Sequence, residues 1–169
     1  YAMEDISGDG IPELLMSFIY EETAEGFFGR DIFAVYHYGE GTPQQVIDGG
    51  GRNAYYLMEN GDIFNSGSAG AAYSIFGTYA LSEDGAELIC KDYYFTHEVD
   101  GDFANIGCFH NTTAEWDVDA SEKMDVTLDE FWQMELDLME QVTLVEVQPF
   151  ADYVPVDVPV YEGSENDAA

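Results

Sequence analysis

Basic side chains are nearly missing from this sequence. Arg30, Arg52, Lys91 and Lys123 stand against 35 aspartates and glutamates, a formal net charge of −31 over 169 residues. A nucleic-acid backbone needs a lysine or arginine patch to displace its counterions, and four cations cannot assemble one. An anionic membrane surface is excluded on the same ground. Cysteine is scarce as well. Cys90 and Cys108 are too few for a disulfide framework and badly spaced for zinc. They read as two buried thiols, with one disulfide open if their strands meet. The histidines show no His-x-x-x-His pairing, and no Cys-x-x-Cys accompanies them, so transition-metal chemistry has no signature. No window approaches roughly 18 uninterrupted apolar residues, which excludes a transmembrane helix of the usual kind.

What is present is a large apolar and aromatic fraction. Hydrophobic residues make up 46% of the chain, with 12 Tyr and 11 Phe, enough for a packed core despite the charge. Cations, neutral glycans and peptides remain open as partners. The acidity itself suits solubility outside the cell. Tyr1-Ala2-Met3 carries no initiator methionine ahead of it, so any export signal is expected upstream of the visible chain.

The patterning is that of strands. Residues 1–6 read as a short strand or extended lead-in, and 13–20 as strand or helix by composition alone. Residues 23–30 read as a glycine-bounded loop. Ile32, Ala34, Tyr36 and Tyr38 alternate with Phe33, Val35 and His37, and Gly39-Glu40-Gly41 turns the chain back through 44–47. Residues 54–59 and 62–65 form a hairpin around Asn60-Gly61, the dipeptide that suits a turn with φ > 0 at both central positions. After a small, flexible 66–70, a long hairpin runs over 72–81 and 87–98, and a further strand over 103–110. Thr127-Leu128-Asp129-Glu130 fits a capping box, so a helix starts there. Its apolar stripe is Leu128, Phe131, Trp132, Leu138, Met139 and Val142. A closing strand is expected over 143–150. The fold class is therefore α+β: a curved antiparallel sheet, a meander of hairpins, with one amphipathic helix packed on it. Residues 1–150 form the single domain. Pro155, Pro159 and the acidic run 162–167 make 151–169 an extended, fraying tail.

The sharpest motif is Asp5-Ile6-Ser7-Gly8-Asp9-Gly10-Ile11-Pro12-Glu13. Oxygen-bearing side chains alternate, a glycine sits sixth and a carboxylate ninth, which is how a short loop wraps Ca²⁺. The candidate metal ligands are the side chains of Asp5, Ser7, Asp9 and Glu13 and the backbone carbonyl of Ile11. The alternative is a metal-free aspartate turn whose carboxylates bond backbone amides.

That string, with Leu14-Leu15 following, resembles the Asp-x-Asp-Gly-Asp-Gly-x-x-Glu-Leu segment of secreted proteins and lipoproteins of anaerobic Gram-positive gut bacteria. The loop is also similar to the calcium loops of dockerins. The resemblance covers about 15 residues and implies an extracellular calcium site and a strand after Glu13. Ser7 replaces the usual aspartate and Met16 the bidentate glutamate of an EF-hand, so occupancy needs calcium at roughly 10⁻⁴–10⁻³ M.

Catalytic signatures are weak. Cys108 and His110 share a strand face, where Cα neighbours lie about 7 Å apart, too far for a dyad. Ser68 in Gly67-Ser68-Ala69-Gly70 lacks the leading glycine of a nucleophile elbow. Asn111-Thr112-Thr113 matches a glycosylation sequon by pattern. Tyr55, Tyr56, Tyr73, Tyr79, Tyr93, Tyr94, Trp116 and Trp132 offer a stacking surface for sugar or peptide, with core packing as the default use.

The function expected is an extracellular or cell-surface, non-catalytic module, calcium-stabilised, that binds a neutral glycan, a peptide or a surface protein. The alternatives are an extracellular hydrolase whose acid pair leaves no signature, and a spacer domain of a larger surface protein. A deep pocket with paired carboxylates marks the first, and a shallow aromatic patch marks the binder.

Overall fold

Apolar–polar alternation turns most of this chain into strand. The computed structural model describes residues 1–39, 41–70 and 72–152. Strands β1 (Ala2–Glu4), β2 (Glu13–Thr23), β3 (Gly26–Gly39) and β4 (Thr42–Asp48) come first. They are followed by β5 (Asn53–Leu57), β6 (Ile63–Gly70), β7 (Tyr73–Leu81), β8 (Leu88–Val99) and β9 (Asp102–Asn111). A short β10 (Glu122–Lys123), helix α1 (Leu128–Met139), β11 (Val145–Val147) and a 3-10 turn over Phe150–Asp152 complete the order. The sheet runs β1-β2-β3-β5-β6-β7-β8-β9-β10, with β4 and β11 also on β3. Every pairing is antiparallel. The α+β class, a curved antiparallel sheet with one α-helix among the described residues, is the observed one.

Two apolar clusters lie on opposite faces. The first joins Ala2 and Leu15 to Phe95, Phe109, Val145 and Val147. Residues from both ends of the strand order meet there, so the sheet curls around them. The second cluster, Tyr56, Phe64, Phe76 and Cys108, is covered by Phe131 of α1. Thr127 caps that helix: its Oγ1 accepts from Glu130 N at 3.2 Å, and Glu130 Oε2 accepts from Thr127 N at 2.8 Å. Ser66 Oγ donates to Glu135 Oε1 at 2.6 Å and ties the helix to β6.

Residues 13–20 are strand, as the resemblance implied, continuing to Thr23. Several other expectations are refined or corrected. The loop expected over 23–30 shrinks to Ala24-Glu25, because Phe27 and Phe28 pair with both β2 and β11. Residues 66–70 belong to β6 and pair with β7 despite their small side chains, with a register break between Ser68 and Gly70. The hairpin at Asn60-Gly61 exists, but only Gly61 takes positive φ. Met58 is buried and bridged to Val142, and Met58 N donates to Asp62 O at 2.8 Å, so the turn is one residue longer than the tight form. Positive φ at two consecutive turn residues, the first of them not glycine, occurs instead at Asp100-Gly101. Trp132 leaves the helix stripe, 46% exposed, because the residue after Phe131 lies about 100° further around the axis. The closing strand contracts to Val145–Val147. Cys90 and Cys108 are on adjacent strands but out of register: Cys108 faces Thr96 and Cys90 faces Tyr79, so both thiols are free. The expected tail overlaps the 3-10 turn at 151 and 152, and beyond that it lies outside the described residues.

Candidate functional site

A hollow opens on the curled face where β5, β6, β7 and β8 run side by side. Period-2 alternation sends Asn53 and Tyr55 of β5 to this face. Register then sets Asn65 opposite Tyr55 and Gly77, and Gly77 opposite Tyr93. Glycine is needed at Gly77, since a methyl there would lie 2.4 Å from the carbonyl oxygen of Asp92. The cleft holds about 470 Å³, and Arg52, Asn53, Tyr55, Asn65, Tyr79 and Tyr93 are among its walls.

Its polar groups are ordered from below. Asn65, 4% exposed, donates through Nδ2 to Asn53 Oδ1 at 2.7 Å and to Ala54 O at 3.0 Å. Asn53 Nδ2 in turn donates to the Tyr55 hydroxyl at 3.3 Å, leaving that hydroxyl's own proton to point elsewhere. Tyr79 and Tyr93 are 7% and 6% exposed, their rings packed in the first cluster. Neither hydroxyl has a hydrogen-bond partner among the described residues, and neither is sealed from solvent; both end at the cleft. Burial raises both phenol pKa values, so the two groups stay neutral donors and acceptors at any physiological pH. Arg52 is exposed at the rim, without an ion pair among the described residues.

Beside the cleft is an aromatic platform. Tyr73 stacks on His97 with centroids 5.6 Å apart, and Trp116 meets Tyr73 edge-on at 5.2 Å. Phe103, 69% exposed, lies 6.5 Å from Tyr73, and Trp116 is 40% exposed. Tyr73 donates its hydroxyl to Glu98 Oε2 at 2.7 Å, which lowers the Glu98 carboxyl pKa. Of the aromatic residues singled out from sequence, Tyr56 and Tyr94 are core in the second cluster. Tyr55, Tyr79 and Tyr93 serve the cleft, and Tyr73 and Trp116 the platform.

The Asp5–Glu13 loop folds on its own amides. Asp5 accepts from Gly8 N at 2.8 Å and Gly10 N at 3.0 Å, and Asp9 Oδ1 accepts from Ile11 N at 2.6 Å. Asp5, Asp9 and Ile11 are exposed, whereas Glu13 is fully buried and takes Ile6 N and Ser7 N on Oε2 at 2.9 and 3.2 Å. Glu13 is therefore turned to the interior, away from the face that Asp5 and Asp9 present. Among the described residues no three His, Cys, Asp or Glu side chains gather as a metal-ligand cluster.

Glu13 has a buried neighbour, His37, that sequence reasoning missed. A methyl on Gly85, at the β7–β8 turn, would lie 2.5 Å from Glu13 Oε1 and 2.9 Å from His37 Nδ1. Both atoms, and Ser7 Oγ, are buried without a hydrogen-bond partner among the described residues. No local signal announces this meeting, since three separate segments make it.

The candidate nucleophiles are accounted for. His110 Nε2 lies 2.9 Å from Asp92 Oδ1 and its ring packs on Tyr94, while Cys108 is buried at 2% exposure. Burial raises both thiol pKa values, the reverse of an activated cysteine. Ser68 Oγ donates to Gly70 O at 2.8 Å. Asn111 is buried, its amide donating to Glu115 O and Ser121 Oγ, so the sequon asparagine is spent on structure. Each carboxyl with a resolved shift, Asp84, Glu98 and Glu130, is lowered by hydrogen bonds; a general acid needs the opposite.

No protein-family model, curated protein or solved structure matches the chain.

Proposed function

We propose that this domain is a non-catalytic binding module, displayed outside the cell, whose cleft takes a neutral glycan. One observation carries the reading: two tyrosines more than nine-tenths buried line an open cleft, and their hydroxyls have no hydrogen-bond partner among the described residues. Asn53, Asn65 and the Tyr55 hydroxyl add fixed donors and acceptors, and the tyrosine rings add apolar wall, the mixture a polyhydroxylated ligand needs. The charge of −31 disfavours sulfated or uronic chains, which leaves neutral sugars.

A glycan array followed by calorimetry tests this. Neutral glycans are expected to bind, and Tyr79→Phe with Tyr93→Phe should weaken binding at least about tenfold, one lost hydrogen bond's worth or more. The melting temperature should hold, because the deleted hydroxyls have no hydrogen-bond partner among the described residues. Binding to peptides alone overturns the reading.

Calcium enters the proposal in reduced form, on Asp5, Asp9 and the Ile11 carbonyl, with Glu13 as anchor and not as ligand. At about ten times its Kd, calcium should add roughly 1.4 kcal/mol, or about 3–5 °C in melting temperature, relative to chelator. Asp9→Ala should abolish that rise. Identical melting with calcium and with chelator sinks the site.

A further inference from the structure

The sheet carries a second hollow, on the face turned away from the first cluster. Ala2, Leu15 and Val35 belong to that cluster, so alternation sends Met3, Leu14 and Tyr36 to the opposite side. Register lines these three up across β1, β2 and β3, and sets Tyr38 beside Pro43 of β4. Ile11, from the Asp5–Glu13 loop, joins them in the lining, which is almost wholly apolar around about 360 Å³. Helix α1 packs on β6 and β9, and the cluster beneath it takes no residue from β1, β2, β3 or β4. The apolar side chains on these strands are therefore left open. Met3 is 54% exposed, Ile11 46% and Tyr38 55%.

The rim of this hollow is acidic. Asp9 Oδ1 accepts from the backbone N of Ile11, a lining residue, at 2.6 Å. Asp5 belongs to the same loop, and Asp48 of β4 pairs with Ala34, on the face that Tyr36 shares. All three carboxylates are exposed. The four basic residues serve other places. Arg30 lies over the Tyr20 ring, Arg52 lines the tyrosine cleft, Lys91 pairs with Asp62 and Lys123 is in β10.

An apolar depression with methionine and tyrosine at its lip and charge around it has the anatomy of a protein interface: an anchor pocket inside a polar rim. Its volume is at the small end of the roughly 300–1,000 Å³ of ligand pockets, which suits an anchoring side chain. The charge of −31 repels an acidic segment, and it repels a second copy of this chain equally. A cationic segment is attracted.

We propose that this hollow docks a cationic peptide segment of another protein. One aromatic or aliphatic side chain enters between Met3, Leu14, Tyr36 and Tyr38, and flanking lysines or arginines meet Asp5, Asp9 and Asp48. The proposal does not rest on the glycan reading, because the hollow and the tyrosine cleft share no lining residue.

The test is fluorescence polarisation, in chelator, with four short labelled peptides. One has lysines around a central phenylalanine; its twins carry glycine at the centre, or serines or glutamates as flanks. The lysine–phenylalanine peptide is expected to bind, the glycine and serine twins at least about tenfold more weakly, and the glutamate twin not at all. Met3→Ala with Tyr38→Ala, both at exposed side chains, should bring the phenylalanine peptide down to the glycine twin's Kd. Tyr38→Ala alone, expected to remove most of that preference, carries the test if the pair melts early. Asp9→Asn with Asp48→Asn should weaken both lysine peptides severalfold and flatten their salt dependence. Tyr79→Phe with Tyr93→Phe should leave peptide binding unchanged. Equal binding of the phenylalanine and glycine peptides overturns the proposal, as does a phenylalanine preference that survives the changes at Met3 and Tyr38, or no binding by any peptide. Serine flanks that bind as tightly as lysine flanks give the hollow to a neutral ligand, and dimerisation abolished by Tyr38→Ala gives it to a second copy. Either result overturns the cationic occupant.

Discussion

Replacing Phe76 with alanine should cost about 3–5 kcal/mol, the range for deleting a fully buried phenylalanine, and lower the melting temperature by roughly 10 °C. Phe76 is 0% exposed and sits between the two layers. Its ring lies 4.9 Å from Tyr94 on the neighbouring strand and 4.8 Å from Phe131 of the helix. Truncation empties the point where helix meets sheet. Rigid strands on one side and a helix fixed by its capping box and the Ser66–Glu135 bond on the other leave little freedom to close the gap. Trp132→Ala on the same helix, at a residue 46% exposed, should cost much less, within about 1 kcal/mol. Chemical denaturation of the three proteins gives the comparison. A cost for Phe76→Ala no larger than for Trp132→Ala would mean that the helix is not seated on the second cluster.

Local rules carried a good part of this fold and very little of the site. The alternation of Tyr73, Ile75, Gly77 and Tyr79 reads as strand without help, and Thr127 with Glu130 reads as a helix start. Such signals work because the forces behind them act within a few residues. The cleft is different. Asn53, Asn65, Tyr79 and Tyr93 are four positions on four strands, and only register makes them neighbours. A shift of one residue in any pairing would send them to the opposite face. Length is also misjudged locally. Residues 66–70 look flexible because they are small, yet pairing with β7, and with β5 at Ser66 and Gly67, fixes them as strand. Phe27 and Phe28 look like loop because glycines flank them, yet they are held between β2 and β11. The motif at Asp5–Glu13 was visible as a turn of carboxylates. What spacing could not state is which side of the backbone each carboxylate takes.

That side is what a pair of substitutions at Glu13 should expose. Glu13→Ala in chelator should cost about 3 kcal/mol, since it strips the acceptor from the part-buried amides of Ile6 and Ser7 and opens a void beneath Gly85. Glu13→Gln should fall within about 1 kcal/mol of the wild type. One amide oxygen can take both backbone N–H groups, as Oε2 does now, and the new NH₂ takes the place of Oε1, a buried atom with no partner among the described residues. Asp9→Ala should cost less than about 1 kcal/mol under the same conditions, because Asp9 is exposed and holds a single amide. The order distinguishes two roles that spacing alone leaves equivalent. A carboxylate that serves the loop only as a calcium ligand contributes little once calcium is chelated, so Glu13→Ala and Asp9→Ala would then cost alike. A carboxyl group that anchors the loop to the sheet contributes with or without the ion. Measured stabilities in chelator, with Glu13→Ala far below the wild type and Glu13→Gln beside it, place Glu13 on the structural side of the motif. Calcium, where the loop takes it, is then left to Asp5, Asp9 and the Ile11 carbonyl.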